Sequence, residues 1–258
     1  MSLRDDALEM HRENQGKLEI TPNVKVTNKQ QLSLAYSPGV AEPCKEIHED
    51  PRKVYEYTIK GNTVAVVTDG TAVLGLGNIG AEASIPVMEG KAALFKSFAG
   101  INGVPIALDT TDTQEIIKTV KLIEPNYGGI NLEDISAPRC FEIEETLKKE
   151  TNIPIFHDDQ HGTAIVTMAG LINALRIVDK DLSDIKVVLN GAGAAGIAIV
   201  KLLYSYGVRD MIMCDSKGAI YEGRQHGMND TKAYVANWTN KDKIDGSLEE
   251  VIKDADVF

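Results

Sequence analysis

IKVVLNGAGAAG, residues 185–196, decides the fold. Its first half is a short β-branched run of the kind that forms a strand buried on both faces. Its second half fits G-x-G-x-x-G through Gly191, Gly193 and Gly196, with Ala194 and Ala195 before the last glycine. A strand that enters such a turn without a gap and leaves it as a helix is the opening of a βαβ unit, and the helix N-terminus offers its backbone amides to a phosphate. Asp215 ends the next apolar run, MIMCD at 211–215, nineteen residues beyond Gly196. An acid at that place takes the hydroxyls of a ribose, which predicts NAD as the cofactor; the nearby Lys217 suits a 2′-phosphate and keeps NADP as the alternative. A second G-x-G-x-x-G, residues 75–80, lies several residues past its strand and has Gly100 where the acid would stand. It reads as a tight loop near the substrate.

Upstream of 185 the same alternation recurs. TVAVVT, GVPIALD, YGGINLE and IPIFHD are short apolar runs separated by helical stretches that begin near Ala81, Asp112 and Pro138. Strands alternating with helices predict a parallel sheet, so the fold class is α/β: an N-terminal parallel-sheet domain followed by a Rossmann-type dinucleotide-binding domain. Asp112 and Glu115 have capping-box spacing and are assigned to a helix start rather than to a site. The long segment 160–178 leads into the second domain, and the boundary is placed there, giving domains at 1–160 and 161–258. The closing residues, DADVF, read as a further strand with no partner, so the second domain is expected to be incomplete at its C-terminus. The first sixty residues, with a polar helix at 3–15 and another from Asn28, resemble an arm and predict homodimerisation.

Two acidic pairs follow the last strands of the first domain: Glu133 with Asp134, and Asp158 with Asp159. At the carboxyl ends of neighbouring parallel strands such groups converge, and crowded carboxylates require a cation or a shared proton. Oxygen ligands select Mg²⁺ or Mn²⁺. His157 and His161 flank the second pair, but zinc lacks a third nitrogen or sulfur ligand at a usual spacing, and packing or hydrogen bonding accounts for both. Lys91, in a helical run of small and apolar neighbours, is either a desolvated base or a solvent-facing lysine. Tyr36, before the Ser37-Pro38-Gly39 turn, either packs or presents its hydroxyl.

Composition bounds the function. With 258 residues and 43% hydrophobic content, the chain has material for two packed cores. A formal charge of −11 and no Lys/Arg block argue against nucleic acid. No run of about 18 uncharged apolar residues and no apolar leader occurs, so a soluble, cytoplasmic protein without a membrane partner is expected. Cys44, Cys140 and Cys214 are odd in number and widely spaced, which predicts reduced thiols.

Taken together and in order, YSPGVAEPC, TDGTAVLGLGNIG, PVMEGKAALFK, GGINLEDISAPRC, FHDDQHGT and GAGAAG closely resemble the malic enzymes of the small bacterial type. The resemblance covers essentially the whole chain. It implies oxidative decarboxylation of L-malate to pyruvate and carbon dioxide, with NAD or NADP reduced and a divalent cation required. By motif it makes Glu133, Asp134 and Asp159 metal ligands, Lys91 the general base, Tyr36 the general acid, and Asp158 an aid to proton transfer. The sequence departs from the family in two places. Larger members carry a substrate-binding arginine in the loop matching DGTAVLGLG, where Ala72 stands here, and malate-contacting asparagines of the family lie beyond Phe258. Two alternative functions use the same letters: malolactic conversion with bound NAD, and a non-catalytic binding protein. A Mg²⁺-dependent hydrolase leaves the GAGAAG turn unexplained.

Overall fold

A computed structural model describes residues 2–258. The chain divides into two compact units, Met1–Ile135 with Glu145–Ile155, and Ser136–Glu144 with Phe156–Phe258.

The first unit begins with helices α1 (Leu3–Asn14), α2 (Lys29–Ala35), α3 (Ala41–Glu49) and α4 (Val54–Tyr57). Strand β1 (Thr63–Thr68), helix α5 (Ala81–Ala99), β2 (Asn102–Ala107), α6 (Thr113–Ile123) and β3 (Gly129–Leu132) follow; α7 (Arg139–Glu150) and β4 (Ile155–His157) come next in the chain, each divided between the two units. The four strands form one sheet in the order β2-β1-β3-β4, with β1 parallel to both β2 and β3. A parallel sheet needs crossover helices on its faces, which explains why TVAVVT is apolar at nearly every position rather than at alternate ones. Ala65, Val66 and Val67 are fully buried, and Val66 packs with Met88 and Ala92 of α5. Burying a side chain of that size stabilises by about 1.5–3 kcal/mol.

Asp112 caps α6 as the spacing requires, its carboxylate accepting the Glu115 N–H at 2.8 Å. The arm is unlike the sheet: α1, α2 and α3 contain no buried residue. It is tied to α5 through Lys17, whose backbone N–H donates to Glu89 at 3.0 Å and whose ammonium donates to the Pro86 carbonyl at 2.9 Å.

The second unit contains α8 (Asp158–Val178), β5 (Lys186–Asn190), α9 (Ala194–Ser205), β6 (Asp210–Asp215), β7 (Gly218–Ala219), α10 (Asp230–Ala236) and α11 (Leu248–Val251). Its sheet runs β5-β6-β7, parallel between β5 and β6 and antiparallel between β6 and β7. By length and composition alone α8 is apolar enough to cross a membrane. Its buried residues Gln160, Ala164, Met168, Leu171 and Leu175 recur at three and four residues, and α8 packs against α9, the arrangement of a core helix.

Two expectations are corrected. The closing DADVF does have a partner: Val257 forms a parallel bridge with Val187 and accepts the Val188 N–H at 2.9 Å, so it occupies the edge of β5. The helix read as 160–178 begins at Asp158, which puts Asp158 and Asp159 in the first turn of α8 rather than in a loop. Acidic side chains are favoured there by the partial positive charge of the helix N-terminus.

Candidate active site

Lys91 lies within α5, and its ammonium is 3.1 Å from Glu133 Oε1, with the two side chains 20% and 8% exposed. The solvent-facing alternative for Lys91 is therefore excluded. Glu133 follows β3 directly; its N–H bonds the Val67 carbonyl at 2.8 Å, and its Oε2 accepts from Asn131 Nδ2 at 2.8 Å. Sheet geometry thus fixes both the backbone and the carboxylate. Asp134, also buried, has a φ of 54°, in the left-handed region that aspartate enters more readily than most non-glycine residues. Its carbonyl accepts the Ala72 N–H at 2.9 Å, so the chain reversal after β3 also pins the loop after β1. That loop is the G-x-G-x-x-G decoy, and positive φ at Gly75, Gly77 and Gly80 makes it the tight turn expected.

Glu133, Asp134 and Asp159 each offer a carboxylate oxygen, all within 4.8 Å of one another. Three hard oxygen donors at this separation suit a cation such as Mg²⁺ or Mn²⁺ and do not suit zinc. His157 is fully buried, and that burial holds its pKa below the ordinary imidazole value. Its Nε2 is 3.7 Å from Asp159 Oδ2.

Two positioning residues escaped the sequence reading. Glu144, 3% exposed on α7, accepts the His157 N–H at 3.1 Å and pairs with His161 Nε2 at 2.8 Å, bracketing the turn that carries Asp158 and Asp159. The signal was present, because Glu144 is four residues after Cys140 and three before Leu147, on the same buried helix face. Gly162 is the other: a Cβ there would lie 2.2 Å from Asp158 Oδ1, so a larger residue would make that carboxylate move. Burial pushes the Cys140 thiol up to about 12, which keeps it an inert packing group. Tyr36 ends α2 and is 69% exposed, its carbonyl accepting the Val40 N–H of the expected turn at 2.7 Å.

The glycine turn runs from the end of β5 into the first turn of α9. Gly191 has a φ of 122° and donates to the Cys214 carbonyl at 2.9 Å, which closes the turn against β6. Open space lies where Cβ atoms of Gly191 and Gly193 would stand, whereas a Cβ on Gly196 would be 1.9 Å from the Gly191 carbonyl. Gly193 caps α9 without a side-chain hydrogen bond, and Ala194 and Ala195 begin its first turn, so their amides are available to an anion. We expect Gly196→Ala to destabilise the second unit by roughly 3 kcal/mol, as a strained overpacked site does. A Gly196→Ala variant with unchanged melting temperature and dinucleotide affinity would contradict the packing role.

Asp215 is where the sequence placed it, at the end of β6, but its carboxylate is already engaged. Arg224 donates to Oδ1 at 2.9 Å and to Oδ2 at 2.5 Å, Lys232 to Oδ2 at 2.7 Å, and the Lys217 N–H to Oδ1 at 2.8 Å. The hydrogen bonds from Arg224 foremost, then Lys232, hold this carboxyl well below the usual carboxylate range.

Residues 15–148 match the sequence model of the malic enzyme N-terminal domain, and residues 160–257 match that of the malic enzyme NAD binding domain. The chain belongs to the malic enzyme family. It is 72% identical to a bifunctional malic/malolactic enzyme of Bacillus subtilis over all of this chain and 63% of the relative. It is 60% identical to an NAD-dependent malic enzyme of Geobacillus stearothermophilus, covering 94% of this chain and 51% of the relative. The crystal structure of an NAD-dependent malic enzyme from Thermotoga maritima superposes with a TM-score of 0.95 at 49% identity, over 97% of this chain and 67% of that one. The chain thus spans about half to two thirds of the length of these relatives, and both expected α/β domains of the family are represented.

Proposed function

We propose that the chain carries the catalytic residues of a malic enzyme that oxidises L-malate to pyruvate and carbon dioxide, with NAD or NADP as hydride acceptor and Mg²⁺ or Mn²⁺ as the cation. The observation that carries this reading is the three-carboxylate cluster with Lys91 seated on one of its members. The names of the relatives support the reaction.

Glu133, Asp134 and Asp159 would hold the cation, which supplies Lewis-acid polarisation of substrate oxygens, and the bound nicotinamide supplies the hydride acceptor. Lys91 Nζ, as the neutral amine once Glu133 faces the cation instead, would take the proton of the malate C2 hydroxyl as hydride leaves that carbon. Asp158, given room by Gly162, assists the proton transfer. Tyr36 then returns a proton to C3 once carbon dioxide has left. Glu133 serves both assemblies, since it contacts Lys91 directly and belongs to the cluster. Residues 1–160 form the substrate and metal domain in this proposal and 161–258 the dinucleotide domain.

The test is direct. With L-malate and Mn²⁺, the chain should produce pyruvate in step with reduced nicotinamide, and a chelator should stop both. Lactate formed without net reduction of added dinucleotide would select the malolactic reading, which the name of the Bacillus subtilis relative favours as second choice. Dinucleotide binding without malate turnover would select the non-catalytic reading.

We also propose a cytoplasmic homodimer. The support for the dimer is the arm, where Leu32 and Leu34 are 50% and 71% exposed, a cost in water that a second copy would remove. Sedimentation at micromolar concentration should give twice the 28.0 kDa chain mass; a monomer would contradict it.

A further inference from the structure

The strand-end acid that would ordinarily read the ribose is spent inside the protein. A carboxylate offers about four lone-pair positions, and Asp215 already receives four hydrogen bonds, from Arg224 Nη1 and Nη2, Lys232 Nζ and the Lys217 N–H. No acceptor position remains for a ribose hydroxyl. The cluster is also formally positive, because two cations face one carboxylate, and the side chain of Lys217 adds a third positive charge in the turn between β6 and β7.

The three cations are not equivalent. Arg224 is 6% exposed at its side chain, and beyond Asp215 it donates to the carbonyls of Gly218, Ala219 and Gly227. Its part is to neutralise and lock Asp215. Lys232, 17% exposed, uses two of its three donors, on Asp215 and on the Gly227 carbonyl at 2.8 Å, which leaves one proton for a ligand. Lys217 is exposed on the same turn.

We propose that Lys232 and Lys217, on an Asp215 neutralised by Arg224, form a receptor for a 2′-phosphate, so that this site prefers NADP to NAD. The inference rests on reading Gly191, Gly193 and Gly196 as the pyrophosphate turn. In a Rossmann-type site a free acid rejects a 2′-phosphate by like charge, and a cation in its place accepts one. Here the repelling charge is cancelled before any ligand arrives. The contact is charge-assisted and partly exposed, so the preference should shrink as salt rises.

Equilibrium binding tests this without turnover. The chain is titrated calorimetrically with NADP⁺, NAD⁺, adenosine 2′,5′-bisphosphate and 5′-AMP. NADP⁺ should bind about tenfold or more tightly than NAD⁺, the gain of one good charge-assisted contact, and the bisphosphate should exceed 5′-AMP in the same sense. Lys232→Gln should bring the NADP⁺ to NAD⁺ affinity ratio close to one. Lys217→Gln, at an exposed position that costs the fold nothing, should lower the ratio as well and serves where Lys232→Gln does not fold. Equal or tighter binding of NAD⁺ by the unaltered chain, or a ratio untouched by both substitutions, would overturn the specificity while leaving the dinucleotide site intact. Binding of neither dinucleotide would overturn both.

Discussion

Lys91→Arg is expected to lower malate-dependent dinucleotide reduction by about 10²- to 10⁴-fold, the usual contribution of a positioned proton acceptor. The arginine keeps a positive charge beside Glu133, which sits 3.1 Å from the lysine and is 8% exposed, so the buried carboxylate does not lose its partner. A guanidinium cannot give up its proton in a protein and therefore cannot act as the base. Lys91→Ala should lose activity as well, but for two reasons, because it also leaves Glu133 buried and uncompensated at a cost of about 3–5 kcal/mol. Comparing the two substitutions separates chemistry from stability: the arginine variant should melt near the unaltered chain and still be inactive. Turnover within about twofold of the unaltered chain in Lys91→Arg would remove Lys91 from proton transfer, given the tenfold-per-1.4 kcal/mol scale of rates.

Asp134→Asn should weaken Mn²⁺ binding by more than about 100-fold, beyond the 10- to 100-fold that loss of a merely supporting residue costs. Asparagine has the shape of aspartate and tolerates the left-handed φ of 54° found at this position, so the backbone and its bond to Ala72 should survive. What is lost is one negative charge among three donors lying within 4.8 Å. Hard cations depend on that charge, whereas an amide oxygen is a weaker replacement. The same substitution at Asp112 removes no ligand, because that carboxylate caps α6, and it should leave Mn²⁺ affinity alone. Equal Mn²⁺ affinities for Asp134→Asn and the unaltered chain would end the metal assignment of Asp134.

Much of this was legible in the sequence because it is local. Short β-branched runs separated by helical stretches specify parallel strands whatever the rest of the chain does, and the carboxylates directly following two of them inherit their place from the strands. The glycine turn is equally local, since Gly191 and Gly196 answer to each other across five residues. What was missed depends on contacts at longer range. Glu144 reaches the backbone of His157, 13 residues on, and Arg224 and Lys232 reach Asp215 from 9 and 17 residues away across turns that no periodicity announces. The partner of DADVF was invisible for the same reason, as Val257 pairs with an edge of β5 some seventy residues earlier. The first two residues of α8 fell outside the segment read as helical because acids directly after a strand suit a strand end as well as a first helical turn.

The account rests on one cation held by carboxylates from the ends of two strands, and Mn²⁺ titration followed by electron paramagnetic resonance measures it most directly. The unaltered chain should bind one Mn²⁺ in a saturable site that Mg²⁺ displaces, and Asp134→Asn and Asp159→Asn should each abolish that site. Mn²⁺ that fails to saturate, or binds equally to all three proteins, would contradict it.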